Sequence, residues 1–270
     1  MATKIHPTAI IDPTAELADG VEIGAYAIID GDVTIGEGTS ISHHAFIASG
    51  ARIGKECVIH HSAVVANVPQ DLKFTGSEKT YVEIGDHTTI REFATIHRAT
   101  VHTTTSKAGT HDSITKVGSH CLIMAYSHIA HDCLIGDHVI LSNAVQVAGH
   151  CTIGSFVTIG GLTGVHQFSM IGAYSMVGAA LMLTKDAPPY SLIADEPPRF
   201  VGVNKIGLER RGFTKEAIKK IRDAYKLIYF SGLNFTDAMS TIEANRDLNI
   251  AEVQVILDFY RNSDRGVIGG

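Results

Sequence analysis

The sequence predicts an all-β solenoid of triangular cross-section followed by a smaller α-helical domain. Three observations predict it. An aliphatic residue recurs every sixth position, glycines recur every eighteenth, and beyond Thr214 the apolar spacing changes to three and four. Six matches neither the 3.6-residue period of an amphipathic helix nor the two-residue alternation of a half-buried strand, but it is the period of a solenoid built from short strands and corners.

The beat runs from Ile5 through Ile11, Leu17 and Ile23 to Val65 without a miss. Ile84, Ile90 and Ile96 restart it, and a third run extends from Val117 to Leu183. Gly118, Gly136, Gly154 and Gly172 each follow a beat position. Their spacing marks an equivalent bend in successive coils, attributed here to glycine's backbone freedom. Eighteen residues make three hexads, hence three flat faces. The 26 beats fill a little under nine coils, a prism roughly 40 Å long at about 4.8 Å per rung.

Residues 1–187 therefore read as solenoid, with insertions near 66–83 and 97–116 where Pro, Gly, Ser, Thr and charge interrupt the beat. Insertions on a rigid scaffold emerge as loops that often carry binding residues. Residues 188–270 read as a linker and a C-terminal helical domain. Thr214 suits an N-cap for a helix with Ala217, Ile218, Ile221, Ala224, Tyr225 and Ile228 on one face. Asn249 and Glu252 resemble a capping box opening a last helix over 250–260. Such a tail could cover the open end of the prism.

Composition excludes several classes. No run of eighteen apolar residues and no signal-peptide layout are present, so a cytoplasmic protein without stable membrane insertion is expected. Cys57, Cys121, Cys133 and Cys151 each lie four residues after a beat position, a slot filled elsewhere by Ala or Ser, and read as small buried side chains rather than ligands. The net charge of −6 conceals a basic stretch. Lys205, Arg210, Arg211, Lys215, Lys219, Lys220, Arg222 and Lys226 face only Glu209, Glu216 and Asp223 there. That stretch reads either as a solvated helix face or as a dock for an acidic partner or phosphate. Without interleaved aromatics or overall basicity, nucleic acid is not expected.

Fifteen histidines need sorting. His120 with His138, and His43 with His61, lie eighteen apart and read as surface ladders. His128, His131, His150 and His166 instead fall within five consecutive phases of one coil, so they project near one edge from adjacent rungs. His131 lies below Gly149, which lies below Gln167. His166 occupies a position that most neighbouring hexads give to Gly, Ala or Ser. Asp132 follows His131 and can orient its imidazole or stabilise the imidazolium. The cluster admits two chemistries: zinc held by imidazoles, or a histidine base paired with a backbone N–H such as that of Gly149 as oxyanion donor. The second is favoured, because only Asp132 joins the histidines as a further donor.

Four runs, together with the hexads, resemble one family. They are His128-Ile-Ala-His131-Asp-Cys133, Ala148-Gly149-His150, Gly164-Val-His166-Gln167-Phe168 and Gly207-Leu-Glu-Arg210-Arg211-Gly212-Phe213. With the Pro69-Gln70-Asp71-Leu72-Lys73 loop, they are similar to the acyl-carrier-protein–UDP-N-acetylglucosamine O-acyltransferases over essentially the whole chain. The resemblance implies a left-handed parallel β-helix, a homotrimer with sites between subunits, no cofactor and no metal. It implies transfer of an (R)-3-hydroxyacyl group from acyl carrier protein to the 3-hydroxyl of UDP-N-acetylglucosamine, the first step of lipid A synthesis. The family's base falls on His131, assisted by Asp132, and its oxyanion donor on Gly149. Substrate contacts fall on Gln70, Asp71, Lys73, His128, His150, His166, Gln167, Asn204 and Arg210. The determinant of acyl length falls near Ala179 and the 191–200 linker, which carries no histidine. The acidic carrier protein would dock on Lys215, Lys219 and Arg222.

Three other readings compete. A γ-class carbonic anhydrase would need its His-x4-His element, found here only as His97 and His102 in an insertion. The later N-acyltransferase of the same pathway would carry an extra domain ahead of its hexads. A non-catalytic hexapeptide scaffold would leave the His131 cluster without a use.

Overall fold

The computed structural model describes residues 2–76, 79–101 and 113–270. Among these, the strands from Lys4–Ile5 to Met182–Leu183 follow the beat one for one. Each but the last of its stack pairs in parallel with the strand one coil on: Ile5 with Ile23, Ile11 with Ile29, and Leu17 with Ile35. Three parallel stacks result. The first begins with Lys4–Ile5, the second with Ile10–Ile11 and the third with Glu16–Leu17.

Two-residue strands persist because each places one side chain inward and one outward. From Ile23 onward the inward members are almost fully buried, from Ile29 and Ile41 through Ile123 to Ile159. Burying such a side chain is worth roughly 1.5–3 kcal/mol. The first coil lacks a neighbour below, and Ile5 remains 50% exposed. Both insertions leave the coil without shifting its phase. Ile59 pairs with Ile90 and Ile90 with Ile123, so a longer sequence separation closes onto the same register.

The corner glycines serve a purpose other than the one expected. None of Gly118, Gly136, Gly154 and Gly172 has positive φ. The left-handed position lies two residues later and is filled by His120, His138, Phe156 and Tyr174. What excludes a side chain at Gly136 is the next coil: a Cβ there would sit 2.6 Å from the backbone nitrogen of Ser155. Glycine is present because coils approach closely, not because the chain turns left-handed there.

The small slot holds all four cysteines, free and buried. Each thiol sits near carbonyls, as with Cys133 Sγ donating to Ala148 O at 3.2 Å. Burial raises the Cys121 thiol to about 11, which suits packing and not reactivity. The histidine ladders form as expected, with ring centroids 5.1 Å apart for His43 and His61 and 4.8 Å for His120 and His138. The second ladder continues upward through Phe156, Tyr174 and Tyr190.

The 188–203 stretch is more than a linker. Ser191–Ala194 pairs in parallel with Met176–Val177, extending the first sheet. It then pairs antiparallel with Arg199–Val203, which ends that sheet. Four α-helices follow: α1 (Lys205–Arg210), α2 (Lys215–Phe230), α3 (Phe235–Ala244) and α4 (Ala251–Asn262). Thr214 caps α2 by accepting the Ala217 N–H. The Asn249 capping box does not form: Ile250 is the N-cap of α4 without a side-chain bond, and Asn249 instead closes a short 3₁₀ turn over Arg246–Leu248. The tail covers the C-terminal end of the prism. Ser263 Oγ donates to Asp186 Oδ2 at 2.6 Å, Asn204 Nδ2 donates to Tyr174 O at 2.9 Å and Phe213 meets Tyr174 edge to face at 5.0 Å, while Tyr260 Oη donates to Tyr229 Oη at 2.7 Å within the tail. Among the described residues, no helix is long and apolar enough to cross a membrane.

Candidate active site

On the outer face of the second sheet, His128, Gln146, Gly164 and Met182 stand in successive coils. The corner beside them supplies His131, Gly149 and Gln167. Together with Gln70 from the first insertion, and with His166, they line a cleft of about 520 Å³. Six of the residues expected at the site (Gln70, His128, His131, Gly149, His166 and Gln167) therefore meet within one chain.

His131 is fixed from both sides. Its Nδ1 lies 2.7 Å from Asp132 Oδ2. An ionised carboxylate can only accept, so Nδ1 carries the proton and Nε2 presents a lone pair. The ring rests against Gly149, where a Cβ would lie 2.8 Å from Cε1 and 2.9 Å from Nε2. Gly149 thus leaves the space that the imidazole occupies, a role additional to that of an amide donor. His150 meets His131 edge to face at 5.1 Å and stacks on Phe168 at 4.7 Å.

Asp132 is buried, yet remains a strong acceptor. Burial works to raise its pKa, but hydrogen bonds from His131 and Thr100 and the nearby His150 outweigh it and hold the carboxyl below its usual value. Thr100, at the root of the second insertion, gives its hydroxyl to Oδ2 at 2.7 Å and its N–H to both oxygens at 3.1 and 3.2 Å. His150 Nε2 stands 3.7 Å from the same Oδ2. His131, Asp132 and His150 offer donor atoms within 4.8 Å of one another, a set a metal could use, though Oδ2 is already shared by His131 and Thr100.

His128 and His97 extend the histidine cluster beside the base. His128 Nδ1 is 2.7 Å from the Thr95 hydroxyl, and burial followed by the charge of His131 lowers its pKa. His97 packs edge to face on His128 at 4.8 Å, and burial lowers it to about 4, so it stays neutral. Its Nδ1 is buried without a hydrogen-bond partner among the described residues. Neither His97 nor Thr100 could be placed from phase alone, because each stands at or beyond the point where the second insertion breaks the beat. His102, the other half of the His-x4-His spacing, lies outside the described residues.

The remaining expected residues stand apart from the cleft. Asp71 and Lys73 form a tight turn, with Asp71 Oδ1 accepting the Lys73 N–H at 2.9 Å. Asn204 caps α1 through the Gly207 N–H and donates to Tyr174 O at 2.9 Å. Arg210 is exposed in the last turn of α1. Lys215, Lys219 and Arg222 line a cleft of about 470 Å³ between α1 and α2. Lys219 and Arg222 also border a larger one, about 1,060 Å³, with Phe200, Tyr225 and Phe230. Some cations there are already paired, Lys220 with Glu216 at 3.1 Å and Lys226 with Asp223 at 3.4 Å.

The chain's relatives agree on one family. Residues 186–268 match the model for "Udp N-acetylglucosamine O-acyltransferase; Domain 2", and residues 114–149 match the bacterial transferase hexapeptide model. Acyl-[acyl-carrier-protein]–UDP-N-acetylglucosamine O-acyltransferase of Cupriavidus taiwanensis is 52% identical over 276 residues, covering 98% of this chain and 99% of that protein. The fold matches the solved structure of LpxA, a UDP-N-acetylglucosamine acyltransferase from Bacteroides fragilis, with a TM-score of 0.92 at 41% identity, covering 97% of this chain and 99% of that one. LpxA from Acinetobacter baumannii matches at 0.91 and 43% identity, covering 98% and 99%.

Proposed function

We infer what this protein does from one premise: the chain belongs to the acyl-[acyl-carrier-protein]–UDP-N-acetylglucosamine O-acyltransferase family. It is an acyltransferase of the left-handed β-helix class, moving an acyl group from acyl carrier protein to UDP-N-acetylglucosamine in the cytoplasm, the first step of lipid A biosynthesis. The acyl group is an (R)-3-hydroxyacyl chain and the acceptor is the 3-hydroxyl of the sugar.

The observation that carries the chemistry is the Asp132–His131 pair held against Gly149 in the cleft. His131 Nε2 takes the proton of the sugar hydroxyl as its oxygen attacks the thioester carbonyl. The C–O bond forms, and the carbonyl electron pair moves onto oxygen, where the Gly149 N–H donates to it. Collapse breaks the C–S bond, and the departing thiolate of the carrier recovers the proton from His131. Asp132 stays ionised and stabilises the transient imidazolium. His128, His150, His166 and Gln167 contact the substrates around the base, and Gln70, Asp71 and Lys73 contact them from the first insertion.

The assembly is a homotrimer. In support, the outward residues at the lower end of the second sheet are Ile10, Ile28, Phe46 and Val64, with Ile10 64% and Ile28 40% exposed. A second copy of the chain would cover this apolar surface. Sites between subunits also give Asn204 and Arg210 a role at the nucleotide that they cannot fill in one chain. Lys215, Lys219 and Arg222 attract the acidic carrier protein.

Incubation with UDP-N-acetylglucosamine and hydroxyacyl carrier proteins of graded chain length tests this reading. Formation of the 3-O-acyl sugar nucleotide with one preferred length is expected. No product with any chain length would overturn it.

A further inference from the structure

Asp132 has two possible histidine partners, and only one of them serves the transfer. His131 Nδ1 is 2.7 Å from Oδ2, while His150 Nε2 is 3.7 Å from the same oxygen. The Asp132 backbone is fixed, since it adopts φ 59 and its N–H donates to Thr115 Oγ1 at 2.8 Å. Rotation of the carboxylate about its own side-chain bonds is not fixed by that bond.

We propose that Thr100 is a positioning residue for the transfer, locking the Asp132 carboxylate onto His131; this rests on the reading of His131 as the base. The Thr100 hydroxyl, 2.7 Å from Oδ2, and the Thr100 N–H, which straddles both oxygens, hold the carboxylate together with His131. Thr100 and Asp132 are each only 3% exposed, so water does not readily replace a lost donor. Without the hydroxyl, Oδ2 keeps only the longer bond from the Thr100 N–H besides His131, so the carboxylate turns more readily toward His150 and holds the proton on His131 Nδ1 less firmly. The second insertion thereby reaches the chemistry through its root, without touching substrate.

Thr100→Val keeps the shape and the N–H but removes the hydroxyl. A hydrogen bond to a charged group is worth enough that kcat should fall about 10- to 100-fold. The KM for UDP-N-acetylglucosamine should stay within about twofold, because no substrate contact is lost. Thr100→Ser should restore most of the rate. In an Asp132→Asn background, adding Thr100→Val should cost little more, because the two residues act as one unit. Thr100→Ala carries the same expectations if the valine variant does not fold. Normal kcat in the valine or alanine variant would overturn the proposal, as would an equal loss in Thr100→Ser or an additive loss with Asp132→Asn. His131→Ala assayed alongside separates the two ideas. Wild-type turnover there removes the base itself, whereas its inactivity beside a fully active Thr100→Val removes only the role of Thr100.

Discussion

The second and third sheets share one interior and differ outside. Inward, both repeat Ile, Leu and Val at every rung. Outward, the third sheet sets Glu83 between Arg52 and Lys116, with Lys116 Nζ 3.7 Å from Glu83. The second sheet shows no Asp, Glu, Lys or Arg at any outward strand position from Ile10 to Met182, only apolar residues, Asn67, Thr95, His128, Gln146 and Gly164. Cross-strand charge pairs keep a face wetted, whereas an uncharged strip with a histidine cleft at its upper end is the surface on which a second copy would lose least by desolvation. A solenoid can therefore assign a function to each face by changing the outward residue of each hexad, because the beat residue, the small slot and the corner glycine secure the coil without it.

His131→Ala tests the working face most severely. The rate should fall roughly 10²–10⁴-fold as the proton acceptor disappears, while the melting temperature hardly changes. Near-normal turnover would show that the cleft does not hold the base. Next in size is Ile28→Asp, which buries a carboxylate wherever a second copy covers that strip, at a cost of several kcal/mol. Light scattering should find the mass of one chain instead of three. An unchanged mass would place the interface on another face. Smaller again is Lys215→Glu with Lys219→Glu. This pair should raise the KM for the carrier protein and flatten its salt dependence, leaving the KM for UDP-N-acetylglucosamine unmoved. Equal effects on both substrates would mean that α2 is not the dock. On the third sheet, Lys116→Gln should alter stability by no more than about 0.5 kcal/mol and leave the rate alone. A large loss in that control would blur the distinction between the faces.

Most of the coil was legible because an inward residue must be apolar, and a six-residue period leaves few alternatives. The phase of His128, His131, Gly149, His166 and Gln167 likewise follows from counting, since each rung stacks on the last. Counting fails where the chain leaves the coil. Thr100 stands in an insertion of no fixed phase, so its bond to Asp132 has no signature in spacing. The corner glycines were visible but misread, because spacing shows that a position recurs and not whether φ or a neighbouring coil demands it. The hairpin over Ser191–Val203 was hidden by Pro197 and Pro198 at its turn, and Asn249 was offered as a cap to a helix that starts without one. Asn204 and Arg210 stand at the two ends of α1, apart from the cleft within one chain, so neither the spacing nor the packing of a single chain decides their part in it.

The tail meets the prism through a knot of tyrosines, and this has an optical consequence. The protein contains no tryptophan and eight tyrosines. Tyr174 and Tyr190 stack at that junction beside Phe213, and Tyr225, Tyr229 and Tyr260 form a second group within the tail, joined by ring stacking and the Tyr260–Tyr229 hydrogen bond. Tyr26 and Tyr126 lie far down the coils, open to solvent. Five of the eight tyrosines therefore stand in or beside the helical cap, so near-ultraviolet dichroism, which needs rings held in fixed packing, reports whether that cap is seated.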